Sequence, residues 1–328
     1  MRALIVTAFG GPEVLEWQEL PDPAPGPGEV LIRVTGFAVN WADLMQRRGA
    51  YPGGPRPPFQ TGHDLVGRIV DHGQGVESPR VGDRIFGVLA HPGTAAELVV
   101  APAHWLHRVP RTVTDKDAAG MASPFFTADA AIVTFGRLQP GETVLVHAAA
   151  GGFGSAAVQL ARAYGAGTIV ATAGSDAKLR RVGDWGADVL INYNTHDLVE
   201  PVLHASGGHG VDLVIESVGG EVLDQSFDCL APLGRLVSVG ASSGRGSRRF
   251  RLHTLFEKNV SVAGFTLGLL LAQHPELVTP GVERVMHMLE DGAVQPVVDR
   301  VFHPEDVAEA HRYLEARRSV GRTVVMMA

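Results

Sequence analysis

The alternation of apolar and polar positions divides the chain into two parts. Up to about residue 114, short apolar runs are separated by Gly and Pro, which favours the strands of an all-β or barrel-like domain. The Pro-rich stretch 21–28 lies between two such runs, and we interpret it as a rigid loop inside this domain. The predicted strands cover residues 2–8, 30–39, 65–71, 84–89 and 96–100.

From about residue 127 onward, apolar runs alternate with helical patterns. The predicted strands cover residues 143–147, 168–172, 189–192, 211–216, 235–239 and 260–263. Strands that alternate with helices predict a parallel, doubly wound α/β sheet. After residue 264 we predict a helix around 282–289, a strand at 297–302, a helix at 304–316 and a last strand at 323–326.

Composition narrows the class of partners. The chain has 328 residues, of which 45% are hydrophobic, and this length is typical of two domains. A formal net charge of −7 argues against nucleic acid or an anionic membrane as a partner. The longest apolar stretch, 260–272, is too short to span a bilayer, and the N-terminus lacks the layout of a signal peptide, so we expect a cytoplasmic protein. Cys229 is the single cysteine, and we expect a buried structural thiol.

A glycine-rich turn follows the first strand of the second part. Because it stands between strand 143–147 and an apolar helix at 155–164, it has the context that a bare G-x-G-x-x-G motif lacks. A tight turn that uses Gly for steric reasons is the simpler alternative, but the further strand-like runs favour a dinucleotide site at the helix N-terminus. The predicted cofactor contacts in this turn are Ala149, Gly151, Gly152, Phe153 and Gly154.

The end of the second strand indicates which nicotinamide cofactor binds. An acid at this strand tip would bond the ribose hydroxyls of NAD, but the strand is followed by Gly174 and Ser175. Ser175, Lys178 and Tyr193 could instead receive a 2′-phosphate, so we expect NADP (NADPH). Asp176 is the contrary residue, and we assign it to the first turn of the next helix.

Motifs lie at 27–30, 81–84, 144–166, 185–188, 192–193, 207–212 and 217–220, and the similarity that they carry covers essentially the whole chain. Together they resemble the medium-chain dehydrogenase/reductase superfamily, and within it the zinc-independent quinone oxidoreductase and enoyl reductase branch. The resemblance implies a Rossmann-type doubly wound parallel sheet domain inserted into a GroES-like, partly β-barrel catalytic domain. We place the boundaries at 1–124, 125–263 and 264–328. The resemblance also implies reduction by NADPH and a homodimer.

The resemblance also bears on metal binding. Zinc-dependent relatives have a cysteine ligand where this chain has Asn40, whereas His63 and Asp64 match part of their Gly-His-Glu element. One imidazole and one carboxylate do not make the three-ligand site of a catalytic zinc. We therefore expect no metal and a hydrogen-bonded structural role for His63, with further ligands left open at His91, His104 and His107.

The absence of zinc directs the choice of substrate. Without a Lewis acid, an already activated acceptor is expected, so we hypothesise hydride transfer from NADPH to a quinone or to the C=C of an α,β-unsaturated carbonyl. An enoyl thioester on coenzyme A or an acyl carrier is the nearest alternative. A non-catalytic NADPH-binding protein is the alternative from another class.

The resemblance assigns roles residue by residue. It places Asn40 beside the nicotinamide ribose and the substrate, and Thr127 beside the nicotinamide amide. Tyr51 would line the cleft, where its phenol could donate a proton or a hydrogen bond, although solvent could equally protonate an enolate. A loop aromatic that shields the cleft is the simpler role for Tyr51.

Further contacts are expected on both sides of the cleft. The expected substrate pocket comprises Trp41, Met45, Tyr51 and Phe265, although ordinary packing would also explain these apolar residues. Additional cofactor contacts are expected at Gly240, Ala241, Phe265 and Thr266. The basic cluster of Arg245, Arg248, Arg249 and Arg251 is interpreted as a solvated loop, with recognition of a phosphate-bearing acyl carrier as the functional alternative.

Overall fold

The computed structural model of the chain describes residues 1–246 and 252–327. Its strands are β1 Arg2–Val6, β2 Leu15–Glu19, β3 Glu29–Val39, β4 Phe59–Gln60, β5 Asp64–His72, β6 Arg84–Val88, β7 Leu98–Pro102, β8 Leu106–Arg108, β9 Thr143–Val146, β10 Thr168–Ala173, β11 Val189–Asn192, β12 Val211–Glu216, β13 Leu230–Ser238, β14 Ser261–Gly264, β15 Val298–Phe302 and β16 Arg322–Met326. Its α-helices are α1 Trp41–Arg47, α2 Asp115–Ala118, α3 Ala122–Asp129, α4 Gly152–Ala163, α5 Asp176–Asp184, α6 Val199–Ala205, α7 Gly220–Cys229, α8 Leu252–Glu257, α9 Leu267–Gln273, α10 Thr279–Glu290 and α11 Val307–Glu315.

The chain divides into two units, Met1–Ser123 with Pro296–Ala328, and Pro124–Gln295. The first unit contains a sheet in the order β15-β16-β3-β5-β6-β8, with β7 also paired to β3, and a smaller sheet β2-β1-β4. All of its strand pairs are antiparallel except β15 with β16. Gly and Pro between the short apolar runs end each strand and allow the next to turn back. The buried faces pack into two apolar clusters, one of which includes Ile32, Leu65, Ile85 and Val99.

The second unit contains a six-stranded sheet in the order β11-β10-β9-β12-β13-β14. Every pair in it is parallel. Strands such as β9 read as continuous apolar runs because both of their faces are covered, and Val144, Leu145 and Val146 are fully buried. The strand order reverses between β9 and β12, so the carboxyl ends of these strands border the crevice where doubly wound sheets bind ligands.

Residues 264–295 belong to the second unit, whereas the sequence placed them in the C-terminal return to the catalytic domain. They stay there because α10 is tied to α3. Arg284 of α10 donates to both carboxylate oxygens of Asp129, at 3.2 and 2.8 Å, and the apolar face of α10 buries Val282, Val285 and Leu289. The return therefore begins at Pro296 in the structure.

Two further expectations can be compared with this fold. Within the described ranges, no helix has the length and apolar character needed to cross a membrane. Cys229 ends α7 fully buried, as expected, and burial raises the pKa of its thiol to about 12.

Candidate active site

The turn after β9 leaves the N-terminus of α4 without a side-chain cap. Gly151 is the N-cap residue, and Gly152 and Phe153 begin the helix. A Cβ on Gly154 would lie 2.4 Å from the carbonyl oxygen of Ala148 and 2.5 Å from the Cα of Ala149, so only glycine permits this close approach of helix and turn. The first N–H groups of α4, with the positive end of the helix dipole, are thus available to an anion.

A buried histidine lies directly after β9, at the start of this turn. His147 lies between the hydroxyl of Thr172, at 3.2 Å from Nδ1, and the hydroxyl of Ser226, at 3.0 Å from Nε2. Burial lowers the pKa of His147 to about 3. The imidazole is therefore neutral near pH 7 and positions β9, β10 and α7 without adding charge to the turn.

The residues expected at the 2′-phosphate come together at the end of β10. Ser175 is the N-cap of α5 and accepts from the N–H of Lys178 at 3.4 Å. The hydroxyl of Tyr193 lies beside Gly174, where an added Cβ would meet it at 2.7 Å. Asp176 lies in the first turn of α5, as expected, and its carboxylate accepts from the amide of Asn192 at 2.7 Å.

A buried glutamate, which the sequence analysis missed, organises the loops that follow β12 and β13. Glu216 is fully buried, and its Oε1 accepts from the N–H groups of Val218 at 2.6 Å and Gly219 at 2.7 Å. Burial raises the pKa of its carboxyl group, against these hydrogen bonds, which lower it. An acid at the end of an otherwise apolar strand was the available signal.

The loop expected at the nicotinamide runs along this turn. Ser242 donates its N–H to the carbonyl oxygen of Ser217 at 3.0 Å, so Gly240 and Ala241 lie directly beside residues 217–220. Arg245 follows at the same place, since a Cβ on Gly219 would lie 2.5 Å from its carbonyl oxygen. Arg248, Arg249 and Arg251 of the predicted basic cluster lie outside the described residues.

Three other predicted contacts lie on helices of the second unit or beside them. Thr127 is partly buried in α3, which is followed directly by a π-helix, Ala130–Phe135. Phe265 stacks on Phe135 with ring centroids 4.6 Å apart, so one of its faces is already covered. Thr266 is the exposed N-cap residue of α9.

In the first unit, Asn40 is the centre of a buried polar cluster. It is the N-cap of α1, and its N–H donates to the carboxylate of Asp43 at 2.7 Å. Its side chain lies between Asp64 and Arg322, both of which are also buried. The Asn-x-x-Asp spacing of a capping box could have indicated Asp43, whereas Arg322 lies too far along the chain for any spacing rule.

The other predicted residues of the first unit surround α1. Trp41 is its first residue, with the guanidinium of Arg317 5.6 Å from its ring centroid, and Met45 is partly buried in the same helix. Tyr51 follows in a turn and is half-buried. Burial, and then the nearby Asp43, raises the pKa of the Tyr51 phenol, so the phenol keeps its proton at neutral pH.

The residues that match zinc ligands are engaged in other bonds. The carboxylate of Asp64 accepts from Arg322 at 2.7 Å and from the N–H of Ser123 at 2.8 Å, while Nδ1 of His63 lies 3.0 Å from the carbonyl oxygen of Leu89. In the part of the chain that the structure describes, no three His, Cys, Asp or Glu side chains form a group that could hold a metal. A guanidinium so close to Asp64 does not fit a zinc site.

The three other histidines considered as ligands do not join His63 in such a group. His91 is exposed, His104 packs edge-on against Trp105, and His107 is partly buried beside Phe86. Burial lowers the pKa of His107 to about 4.

Comparison with known proteins identifies the family of the chain. Residues 152–283 match the family model described as zinc-binding dehydrogenase, and residues 26–111 match the alcohol dehydrogenase GroES-like domain. The chain is 31% identical to human quinone oxidoreductase, over 100% of this chain and 98% of that protein. It is 34% identical to the human synaptic vesicle membrane protein VAT-1 homolog, over 99% of this chain and 86% of that protein.

Solved structures agree over the whole chain. Escherichia coli quinone oxidoreductase complexed with NADPH superposes with a TM-score of 0.92 and 28% identity, covering 99% of this chain and 100% of that one. The CurK enoyl reductase gives a TM-score of 0.90 and 30% identity, covering 100% and 99%. An NAD-dependent alcohol dehydrogenase gives 0.90 and 33%, covering 100% of both chains.

Fold and relatives together define a member of an oxidoreductase family. The chain belongs to the medium-chain dehydrogenase/reductase superfamily, in the quinone oxidoreductase and enoyl reductase branch. The family and the fold expected from the sequence, a Rossmann-type parallel sheet with a GroES-like domain, are thus confirmed.

Proposed function

We propose that the protein reduces a quinone, or the C=C of an α,β-unsaturated carbonyl, with NADPH and without zinc. The observation that carries this proposal is the uncapped N-terminus of α4, with a cradle at Gly154 that a Cβ would fill. These features fit a dinucleotide pyrophosphate. When bound, NADPH supplies the hydride, so the chain has to bind, orient, exclude water and handle a proton.

Each of these tasks has candidate residues. For a C=C acceptor, hydride addition at the β-carbon moves an electron pair onto the carbonyl oxygen, and a proton then completes the product. For a quinone, hydride and proton together give the hydroquinone. We propose that Asn40 and Tyr51 donate hydrogen bonds to the developing oxygen charge, and that Tyr51 supplies the proton. Thr127, Gly240, Ala241 and Thr266 are proposed contacts of the nicotinamide half.

The NADP preference is a second part of the proposal. It is supported by the grouping of Ser175, Lys178 and Tyr193 at the end of β10, and by Asp176 being bonded to Asn192. A Lys178→Ala variant should lower the ratio of NADPH to NADH turnover by about tenfold, since one cationic contact to phosphate is lost. Arg180→Ala, which removes a cation two residues further along the same helix, is the control and should leave the ratio unchanged.

The direct experiment is cofactor oxidation by the purified protein after chelator treatment. NADPH and NADH are offered with 1,4-benzoquinone, a simple enone or crotonyl-CoA. Quinone or enone turnover that prefers NADPH and survives the chelator supports the proposal. Turnover of crotonyl-CoA alone would assign an enoyl-thioester reductase, which the CurK likeness favours, and tight NADPH binding without turnover of any acceptor would assign a binding protein.

We also propose a homodimer in the cytoplasm. The edge strand β14 pairs on one side with β13, and its Val262 is 41% exposed. An exposed strand edge of this kind offers unpaired N–H and C=O groups to a second chain. Light scattering should give twice the chain mass of 34.7 kDa, and Val262→Lys should shift it toward the monomer, whereas a monomeric wild type would refute the dimer.

A further inference from the structure

Charged groups hold the side-chain amide of Asn40 from both sides. Nη1 of Arg322 donates to Oδ1 of Asn40 at 2.9 Å, and Nδ2 of Asn40 donates to Oδ2 of Asp64 at 2.9 Å. Nη2 of Arg322 donates to the same carboxylate oxygen at 2.7 Å, which closes a ring of three side chains. Asn40 is 8% exposed, Asp64 0% and Arg322 9%, so the ring is shielded from water.

The chemistry of the two neighbours fixes the orientation of the amide. A guanidinium can only donate, and a carboxylate can only accept. The oxygen of Asn40 must therefore face Arg322, and its nitrogen must face Asp64. A flipped amide would set donor against donor and acceptor against acceptor in a buried environment.

One N–H of Asn40 remains after these bonds are made. The amide nitrogen carries two hydrogens, and within the described residues only Asp64 accepts from it. The cation on the amide oxygen polarises the group, which strengthens the remaining N–H as a donor and weakens the oxygen as an acceptor.

We infer that Arg322 is a positioning residue for Asn40, and that it presents the second N–H of this amide to the carbonyl oxygen of the quinone or enone. Negative charge grows on that oxygen as hydride arrives, so a fixed donor stabilises the transition state more than the bound substrate. This inference rests on the proposed function for the identity of the acceptor oxygen, but the fixed orientation of the amide does not depend on it.

The orientation is tested first, in protein without cofactor. The side-chain amide signals of Asn40 are identified in 1H–15N NMR spectra by their loss in Asn40→Ala. Arg322→Lys should shift both signals and speed hydrogen exchange with solvent. Arg84 forms an ion pair with Asp115 in the same unit, and Arg84→Lys should leave the amide signals of Asn40 unchanged. Unchanged signals in Arg322→Lys would overturn the inference. If that variant does not fold, Asp64→Asn gives the same pair of outcomes.

The catalytic role is tested by a double-mutant cycle with the acceptor that the wild type reduces best. Asn40→Ala should lower kcat by roughly 10²-fold, with the Kd of NADPH nearly unchanged. Arg322→Lys should also lower kcat, but adding it to Asn40→Ala should cause no further loss. Additive losses, or a loss confined to NADPH binding, would overturn the role toward the substrate. If the wild type reduces no acceptor, the proposed function fails by itself, while the NMR result still decides the positioning.

Discussion

The close approach of α4 to the glycine-rich turn after β9 gives a quantitative prediction for Gly154→Ala. The new Cβ would overlap backbone atoms of Ala148 and Ala149 at 2.4 to 2.8 Å, and backbone cannot move aside as a flexible side chain can. Overpacking of this kind costs up to about 3 kcal/mol, and the better helix propensity of Ala returns about 0.5–1 kcal/mol. We expect a net loss of about 2 kcal/mol, or about 4–8 °C in Tm for a domain of this size.

Gly183→Ala is the matched control for this prediction. Gly183 also lies in a helix of the second unit, and a Cβ there would meet Leu190 at 3.4 Å, an ordinary contact. The same chemical change should therefore raise the free energy of unfolding by about 0.5–1 kcal/mol. The two variants are compared by calorimetry and by fluorescence titration with NADPH, where only Gly154→Ala should weaken binding. Equal Tm values and equal affinities in the two variants would refute the steric argument.

Three other predictions concern titratable groups. Tyr51→Phe should lower kcat by about 10²-fold in steady-state assays, and an unchanged kcat and pH profile would assign protonation to solvent. Burial raises the pKa of Glu216 above its usual 4.5, so ionisation of this carboxyl group destabilises the folded state as the pH rises above 4.5. Glu216→Gln should remove this loss of stability from a plot of Tm against pH. An unchanged plot would contradict the raised pKa. Because burial lowers the pKa of His147 from 6.5 to about 3, only the unfolded chain gains this proton between these two pH values. The free energy of unfolding should therefore decrease as the pH is lowered, by up to about 1.4 kcal/mol per pH unit. In urea unfolding, His147→Gln should show a weaker dependence of stability on pH, and an equal dependence would contradict the lowered pKa of His147.

The parts of the fold that follow local patterns were predictable. The strands β9, β10 and β12 are almost entirely buried, so their continuous apolar runs stood out. Strand β2 was missed because its residues are exposed or only partly buried, and α1 because it has only seven residues. Short and exposed elements leave little periodicity to detect.

The candidate site was predictable where a motif is contiguous. The glycine turn was found because strand, turn and helix follow one another in sequence. Arg322 and Glu216 were missed for different reasons, since Arg322 meets Asn40 only through the pairing of β16 with β3, and Glu216 ends a strand as a single acid without a spacing pattern. Long-range pairing of this kind has no signature in one sequence.

The pairing of β16 with β3 also sets an order of events during synthesis. The second unit is contiguous and can fold as soon as it leaves the ribosome, but the first unit needs Pro296–Ala328. Until β16 arrives, the Asp64 carboxylate lacks the cation that neutralises it in the finished core. The same late strand therefore completes the sheet of the first unit and supplies the cation that pairs with Asp64. A nascent chain interrupted before Arg322 would have to bury the Asp64 carboxylate without this cation.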